Sequence, residues 1–172
     1  MFAEHCVRRG WPASPTSMLA LLMLVLAGLC QAAWAEPVDE VRARLKQWIE
    51  FHNAHDANSL AQLYDQNARL FSTAGTDKPL DGKEAIRAYF AQIFKMEPSS
   101  VAIDHNDAVQ LFSEVAIETG FYHLDSRDSR GSEQRTMARY TFVFVKKEGS
   151  WTIVHQHSSR VPQPMAAPAK AG

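Results

Sequence analysis

Two histidines near the end of the chain, His155 and His157, form the pair whose type and spacing most readily suggest chemistry. They stand two positions apart in a stretch that is typical of the return strand of a β-hairpin, so their side chains share one face. The residues of opposite parity point the other way; they are Val154, Gln156 and Ser158. We therefore expect one face of this strand to line a pocket and the other to meet a partner.

Two imidazoles on one strand face are a possible start of a metal site, because histidine is a common zinc ligand. A metal needs a third donor, and either His123 or Glu118 would have to converge on the pair. Packing at a sheet-to-sheet dimer interface, or hydrogen bonding across strands, explains the same pair without a metal. We expect His155 and His157 to lie at such an interface, and we expect no metal site.

Three residues are candidates for catalysis. His123, on a predicted strand with Phe121, is the best single general acid or base, although a lone strand histidine also serves purely structural roles. Arg139 would orient a carboxylate by paired hydrogen bonds if it lies in a cavity, and would otherwise be a surface or interface cation. Tyr140, its neighbour, would act with either of them in a cofactor-free enzyme.

A second set of residues combines aromatic bulk with a few polar groups, as a small-molecule pocket requires. The predicted strands contribute Phe121, Phe142, Gln156 and Ser158 to this set. From the helical part of the chain, Tyr64 and Phe71 are expected to flank the mouth of the pocket. An ordinary core edge has a similar composition, so this interpretation depends on whether the side chains converge.

The first 35 residues have the pattern of a secretory signal peptide. Arg8 and Arg9 precede an apolar run over 18–30, and Ala33-Trp34-Ala35 is typical of a cleavage site before Glu36. The apolar run is too short for a transmembrane helix. We expect export to the periplasm or the medium, and no membrane attachment after cleavage. Both cysteines, Cys6 and Cys30, would be removed with the signal, which excludes disulfides and thiol chemistry from the mature chain.

The remaining composition argues against several functional classes. The chain has 172 residues with 18 basic and 19 acidic side chains, and without the leader the counts become 16 and 18, a net charge of −2. Because neither a basic patch nor a basic run is present, we do not expect nucleic acid as a partner. Neither a nucleotide nor a flavin fingerprint occurs in the sequence, so no cofactor is expected.

Hydrophobic periodicity predicts three helices in the first half of the domain. The first spans about 39–54, and the second is capped by Asp56 and carries Leu60, Leu63 and Tyr64. A short strand is predicted at 68–72. The third helix opens at Asp81, three residues before Glu84, which is the spacing of a capping box. Pro98 ends it.

Alternation then predicts four strands, at 101–112, 114–125, 136–146 and 150–160. The last two are joined by Lys147-Glu148-Gly149, read as a three-residue loop with its glycine left-handed. That loop would place Phe142 opposite Val154, Tyr140 opposite Gln156 and Arg139 opposite His157. The segment 163–172, rich in Pro and Ala, is expected to be a disordered tail.

Three helices followed by antiparallel strands give an α+β domain over 36–162. A strongly curved antiparallel sheet wrapped around the helices buries both kinds of element. Such a cone leaves a cavity at its open end, where ligands bind.

Three stretches of the sequence resemble the nuclear transport factor 2-like superfamily, the cone-shaped fold shared with SnoaL-like cyclases and ketosteroid isomerase. They are residues 80–90, 139–144 and 149–159. The third is similar to the calcium/calmodulin-dependent kinase II association domain and to the bacterial SgcJ/EcaC family. The resemblance covers 38–162 and implies the cone fold. It also places Phe121, Phe142 and Ser158 where the association domain carries pocket arginines, and the absence of arginine there argues against anion binding.

Three functional hypotheses remain. The first is an exported domain that forms a homodimer or higher oligomer and binds a small organic ligand in an apolar pocket. The second is a cofactor-free isomerase, cyclase or hydrolase that uses His123 or Arg139 with Tyr140. The third, implied by the likeness to the association domain, is a pure assembly module. An open cavity with at least two convergent polar groups would favour the first two, and a collapsed apolar interior the third.

Overall fold

A computed structural model describes residues 36–73, 78–127 and 130–162. The predicted signal peptide at 1–35 and the predicted tail at 163–172 lie outside the described residues. Within the described part, no helix is long and apolar enough to cross a membrane.

The first two helices form where the sequence predicts them. Helix α1 spans Pro37–Asn53, with proline in its first turn, where the missing N–H is not needed. Its buried stripe is Val41, Leu45, Trp48 and His52. Helix α2 spans Ala57–Gln62, and the Asp56 carboxylate accepts hydrogen bonds from the backbone N–H groups of Asn58 and Ser59, at 3.1 and 3.0 Å. The predicted N-cap is therefore confirmed.

Helix α3 spans Lys83–Met96 and ends before Pro98, as predicted. The predicted capping box is wrong: Gly82 is the N-cap residue, and Asp81 instead forms an ion pair with Arg69 at 2.6 Å. This pair joins two adjacent strands, so a cross-strand contact takes the carboxylate that the sequence pattern assigned to the helix.

Six strands form one curved, open sheet in the order β2-β1-β6-β5-β4-β3. Their bounds are β1 Tyr64–Phe71, β2 Leu80–Asp81, β3 Ser99–Phe112, β4 Val115–Arg127, β5 Glu133–Lys147 and β6 Ser150–Arg160. All neighbouring pairs are antiparallel except β1 and β6, which run parallel. The α+β cone fold is thus confirmed. Its one parallel pair joins β1, which follows helix α2, to β6 of the C-terminal hairpin. Tyr64, predicted on the second helix, begins β1 instead.

The β5–β6 hairpin differs from the prediction in its register. Lys147 pairs with Ser150, so the loop has two residues, Glu148 and Gly149, with φ of +50° and +78°. Two residues with positive φ are typical of a type I′ turn, whose twist matches that of the strands. A bulge at Val154 then shifts the register once more.

As a result, the predicted cross-strand partners are wrong by two residues. Phe142 pairs with Gln156, Tyr140 with Ser158, and Arg139 with Ser159. The bulge also decides which side chains of β6 point inward. Trp151 and Ile153 are buried before it, and Gln156 and Ser158 after it. An odd-numbered inner face thus becomes an even-numbered one.

The core lies between α1, α3 and the concave face of the sheet. Trp48 packs edge-on against Phe142 and Phe90, with ring centroids 5.4 and 6.2 Å apart. Phe142, Phe144 and Ile153 are at most 1% exposed. Burying each such side chain stabilises the fold by roughly 1.5–3 kcal/mol. This packing fixes the walls of the cavity described next.

Candidate functional site

A cavity of about 100 Å³ opens between the helices and the concave face of the sheet. Its walls combine aromatic and aliphatic surface from α1 and α3 with polar side chains of the sheet. The lining includes Trp48, His52, Tyr89, Tyr122, Gln156 and Ser158. A volume near 100 Å³ suits a molecule of a few heavy atoms, or one end of a larger ligand.

His52 is the buried titratable group of this cavity. Its side chain is 4% exposed, and its ring lies 5.2 Å from Trp48 and 5.1 Å from Phe94. Burial lowers the pKa of His52 from 6.5 to about 4, so the imidazole is neutral at physiological pH. Its Nδ1 atom is buried and has no hydrogen-bond partner among the described residues. A buried polar atom without a partner is unusual in a folded protein and calls for an explanation, such as a bound molecule.

A chain of hydrogen bonds runs from helix α1 along the cavity wall. The Trp48 indole N–H donates to the Tyr64 hydroxyl at 2.8 Å, and that hydroxyl donates to Gln156 Oε1. The Gln156 amide then donates to Ser158 Oγ at 3.3 Å. Tyr64 is completely buried, which raises the pKa of its hydroxyl. It lies behind the wall as a structural relay.

Two further tyrosines bring hydroxyls to the cavity from opposite sides. The Tyr122 hydroxyl, on β4, lies 2.7 Å from Thr73 Oγ1. The Tyr89 hydroxyl, on α3, is hydrogen-bonded to Ser72. Burial raises the pKa of both tyrosines, so both hydroxyls stay protonated and each can donate or accept a hydrogen bond.

The charged residues of the lining, within the described ranges, are Glu97 and Arg160, and both are exposed. The Glu97 carboxylate accepts a hydrogen bond from Ser126 Oγ at 3.5 Å. With a neutral His52 inside, the interior favours uncharged groups, because burying an unpaired charge is costly. A charged group of a ligand would remain near the exposed side chains.

The predicted ligand-binding residues divide into three groups. Gln156 and Ser158 line the cavity, as expected. Phe142 and Tyr64 are fully buried and support its walls from behind. Phe71 and Phe121 lie on the opposite, convex face of the sheet, so their predicted place at the pocket is wrong. Phe71 is 37% exposed against His155 and His157, and Phe121 stacks on His105 with centroids 4.7 Å apart.

The three predicted catalytic residues do not converge. Tyr140 points inward and stacks on Tyr122 at 5.9 Å. His123 and Arg139 point outward from the convex face, because the buried side chains of β4 and β5, including Tyr140, are at even-numbered positions. His123 Nδ1 lies 2.7 Å from an Asp104 carboxylate oxygen. Arg139 hydrogen-bonds Ser159 at 3.1 Å. The expectation that either acts beside Tyr140 therefore lacks a geometric basis.

His123 belongs to a charged cluster on the convex face. Its Nε2 lies 3.6 Å from Asp125, and Asp125 receives two hydrogen bonds of 2.7 Å from Arg135. The Arg135 guanidinium lowers the pKa of the Asp125 carboxyl. The Arg135 guanidinium and the Asp125 carboxylate neutralise each other. Because Asp104, Asp125 and Arg135 lie on β3, β4 and β5, the cluster links these three strands.

His155 and His157 share the convex face, as their spacing predicts. His157 pairs with Thr141 instead of Arg139, because the two-residue loop and the bulge each shift the register by one residue. Burial, followed by the charges of His157 and Arg69, lowers the pKa of His155. In the described ranges, no group of three or more His, Cys, Asp or Glu side chains is placed to hold a metal ion.

The helical spacing of apolar residues puts His52 on the buried stripe of α1 and Tyr89 on that of α3, which indicates packing alone. Their sequence positions carry no signal that they meet Tyr122 across a cavity. The weak clue for His52 is a histidine at an i, i+4 position after Trp48, within an otherwise apolar stripe. A polar residue at a core position asks for a partner, and here the described residues leave Nδ1 without one.

Comparison with known proteins places this geometry in a family. The sequence profile of the calcium/calmodulin dependent protein kinase II association domain matches residues 38–162. A solved structure from Xanthomonas campestris, described with the same family name, is 28% identical, with a TM-score of 0.66 over 76% of this chain and 94% of that one. No curated protein matches the chain.

Two other solved structures share the fold alone. A ketosteroid isomerase-like protein from Erwinia carotovora is 15% identical, with a TM-score of 0.67 over 76% of this chain and all of that one. A nuclear transport factor 2-like superfamily protein from Salmonella enterica is 16% identical, with a TM-score of 0.64 over 77% and 96%.

Proposed function

The chain belongs to the calcium/calmodulin dependent protein kinase II association domain family, and from that premise we propose that it is a self-associating domain that binds a small organic ligand in its interior cavity. The fold supplies the cavity, and the residues of this chain decide what the cavity takes. The convex face of the sheet is the surface for self-association.

One observation carries the ligand-binding proposal. His52 is 4% exposed, lines an open cavity, and keeps a buried Nδ1 without a partner among the described residues. Leaving a buried polar group unpaired costs roughly 1–3 kcal/mol. A domain used for assembly alone gains nothing from this cost, whereas a binding site recovers it when a ligand supplies the missing hydrogen bond.

The convergence of other polar groups supports the same proposal. The hydroxyls of Tyr89 and Tyr122 reach the cavity from a helix and from a strand, and Gln156 and Ser158 line the same space. Trp48, Phe90 and Ile93 provide flat apolar surface between them. A few placed polar groups on an apolar wall are what orient a small molecule.

A thermal-shift screen of neutral small molecules on the full chain tests ligand binding, together with mass spectrometry of any molecule that copurifies. The matched variants are Thr136→Phe, which adds a ring at the cavity lining, and Gln92→Phe, which adds the same ring on the exposed side of α3. We expect hits with the wild type and with Gln92→Phe, and none with Thr136→Phe. Hits that persist in Thr136→Phe would place binding elsewhere and contradict the proposal.

Self-association is proposed for the convex face because apolar and aromatic side chains are exposed there. Phe71 is 37% and Met137 38% exposed, and Phe121, Arg139 and His157 line a groove on the sheet. Aromatic, Met and Arg side chains are enriched at protein interfaces. The name of the family, an association domain, agrees with this use.

Light scattering after size exclusion tests the proposed interface. We expect Met137→Glu to lower the molar mass of the assembly, since it places a charge in the apolar patch. The control is Met96→Glu at the end of α3, where the side chain is 72% exposed and lies off that face. An assembly that survives Met137→Glu, or that Met96→Glu disrupts, would refute this assignment.

Export remains a proposal based on the leader-like segment before Glu36. Fractionation of the producing cells should recover the protein outside the cytoplasm, with an N-terminus at Glu36. A cytoplasmic protein that retains Met1 would contradict it.

A further inference from the structure

Two histidines lie within the surface proposed for self-association. His155 and His157 project from the convex face of β6, and the ring of Phe71 lies 5.9 and 5.6 Å from their rings. His157 also lines the groove that contains Phe121 and Arg139. Histidine is the side chain whose charge ordinarily changes between pH 5 and 8. The proposed contact surface therefore carries groups whose charge depends on pH.

The strands on either side of the pair offer it no balancing negative charge. From β5, the register partners of the two histidines are uncharged; they are Val143 and Thr141. From β1, Arg69 lies beside His155, and the Asp81 carboxylate of β2 already binds Arg69 at 2.6 Å. Burial, and then the charges of His157 and Arg69, lower the pKa of His155. Each of these causes opposes protonation.

Other groups of the convex face add positive charge in acid. Arg139 hydrogen-bonds an uncharged partner, Ser159. His105 brings a third imidazole, stacked on Phe121. Two carboxylates of the same face belong to the cluster of His123 described above, where cationic side chains already contact them. Protonation of the histidines thus adds charge of one sign to the proposed interface.

We propose that acid dissociates the assembly, because protonated His155 and His157 resist burial against the same face of a second copy. The inference rests on the proposed function, since it concerns the regulation of the proposed interface. A two-fold contact brings the same patch of both copies together, so like charges meet. The assembled state then binds fewer protons than the free chains, and association weakens as the pH falls.

The dissociation constant of the full chain, from sedimentation equilibrium, measures this effect. If one histidine in each chain of a pair stays neutral on assembly, at an ordinary pKa of about 6.5, the constant rises about a hundredfold by pH 5.5. The lowered pKa of His155 makes its share smaller. We therefore expect a rise of about tenfold or more between pH 7.5 and 5.5. Near-UV circular dichroism at pH 5.5 checks that the chains remain folded.

Two variants isolate the histidine pair. The double variant His155→Gln, His157→Gln keeps polar side chains that are uncharged at either pH, so its dissociation constant should be the same at both. The matched control is His55→Gln. This exposed histidine follows α1, and its Nε2 lies 3.2 Å from the Ser99 carbonyl oxygen, off the convex face. The control should follow the wild type.

A proton count on the wild type gives a second measurement that needs no variant. Dilution of the assembly at pH 6 is followed by calorimetry in two buffers of different ionisation enthalpy. We expect dissociation to take up protons from the buffer, because the free chains bind more of them. If the double variant does not assemble at pH 7.5, this count decides the question.

The outcomes distinguish this inference from the proposed function. A wild-type dissociation constant that does not change with pH, dissociation without proton uptake, or acid dissociation retained in the double variant overturns the inference and leaves self-association in place. A wild-type chain that is monomeric at pH 7.5 contradicts the proposed self-association and this inference with it.

Discussion

Glu118 provides the sharpest quantitative test of the interior packing. The side chain lies on the concave face of β4 and is completely buried, and neither carboxylate oxygen has a hydrogen-bond partner among the described residues. Burial raises the pKa of Glu118 from 4.5 to about 7, against a smaller opposing effect of the Arg42 charge. The folded protein thus holds a proton that the unfolded chain releases above pH 4.5.

The sign and size of the effect follow from linkage. Between pH 4.5 and about 7 the folded state binds more protons than the unfolded state, so stability falls as pH rises. At about 1.4 kcal/mol for each unit of pKa, the loss amounts to roughly 3 kcal/mol by pH 8. Glu118→Gln keeps the shape and removes the ionisation, so it should match the wild type at pH 4.5 and exceed its stability by roughly 3 kcal/mol at pH 8.

Urea unfolding of both proteins from pH 4.5 to 8 measures this difference directly. The difference between variants is needed because His52 titrates with the opposite sign over part of the same range. Glu114→Gln, at an exposed position beside the same strand, is the control and should show no pH-dependent gain. A stability difference that stays constant with pH would show that Glu118 is not an unpaired buried acid, and a variant less stable at pH 8 would show that its carboxylate is paired.

Two further predictions concern the cavity and the sheet beneath it. Burial lowers the pKa of His52 from 6.5 to about 4, so the neutral ring contributes stability above pH 6.5 that is lost as the pH falls toward 4. The loss amounts to roughly 3 kcal/mol. In urea unfolding, His52→Phe should remove this loss of stability in acid. Wild-type behaviour of His52→Phe in acid would contradict its burial as a neutral ring. Gly120→Ala should destabilise the fold by roughly 1–3 kcal/mol, because a Cβ there would lie 2.5 Å from the His105 carbonyl oxygen and 2.6 Å from the Tyr140 hydroxyl. A thermal midpoint unchanged by Gly120→Ala would show that the two strands can separate without cost.

Periodicity was sufficient to predict the three helices and the four long strands of this fold, whereas the two-residue strand β2 was not predicted. The stripe of Val41, Leu45 and Trp48 predicts α1, the Asp56 cap predicts α2, and alternation predicts the long strands within a few residues. These are local signals, since each depends on residues within one or two turns or on one strand. The cone follows from them because the helices and the sheet have one apolar face each.

Register and site membership could not be predicted in the same way. The bulge at Val154 places Gln156 and Ser158 on the inner face and His157 opposite Thr141. No local sequence pattern predicts this bulge. His123 and Arg139 are residue types that suggest catalysis in the sequence, but both lie on the convex face of the sheet. Whether a side chain meets others at a cavity depends on contacts between elements far apart in the chain.

His52 illustrates the limit from the other side. Its helical spacing identifies a core position, but its role depends on packing against Trp48 and Phe94 and on the space left beside it. That Nδ1 lacks a hydrogen-bond partner among the described residues can be seen only in the folded interior. A sequence pattern can predict which residues are buried. It does not predict which buried polar atoms will lack a hydrogen-bond partner.

Chemical-shift mapping on the full chain tests the central claim, that the interior cavity is a ligand site. A small-molecule hit from the thermal-shift screen is titrated into the wild type and into Thr136→Phe. We predict that the perturbed signals belong to the Trp48 indole, the Gln156 side-chain amide and their cavity neighbours, and that Thr136→Phe abolishes them. Perturbations confined to the convex face around Phe121 and Arg139, and retained in Thr136→Phe, would contradict it.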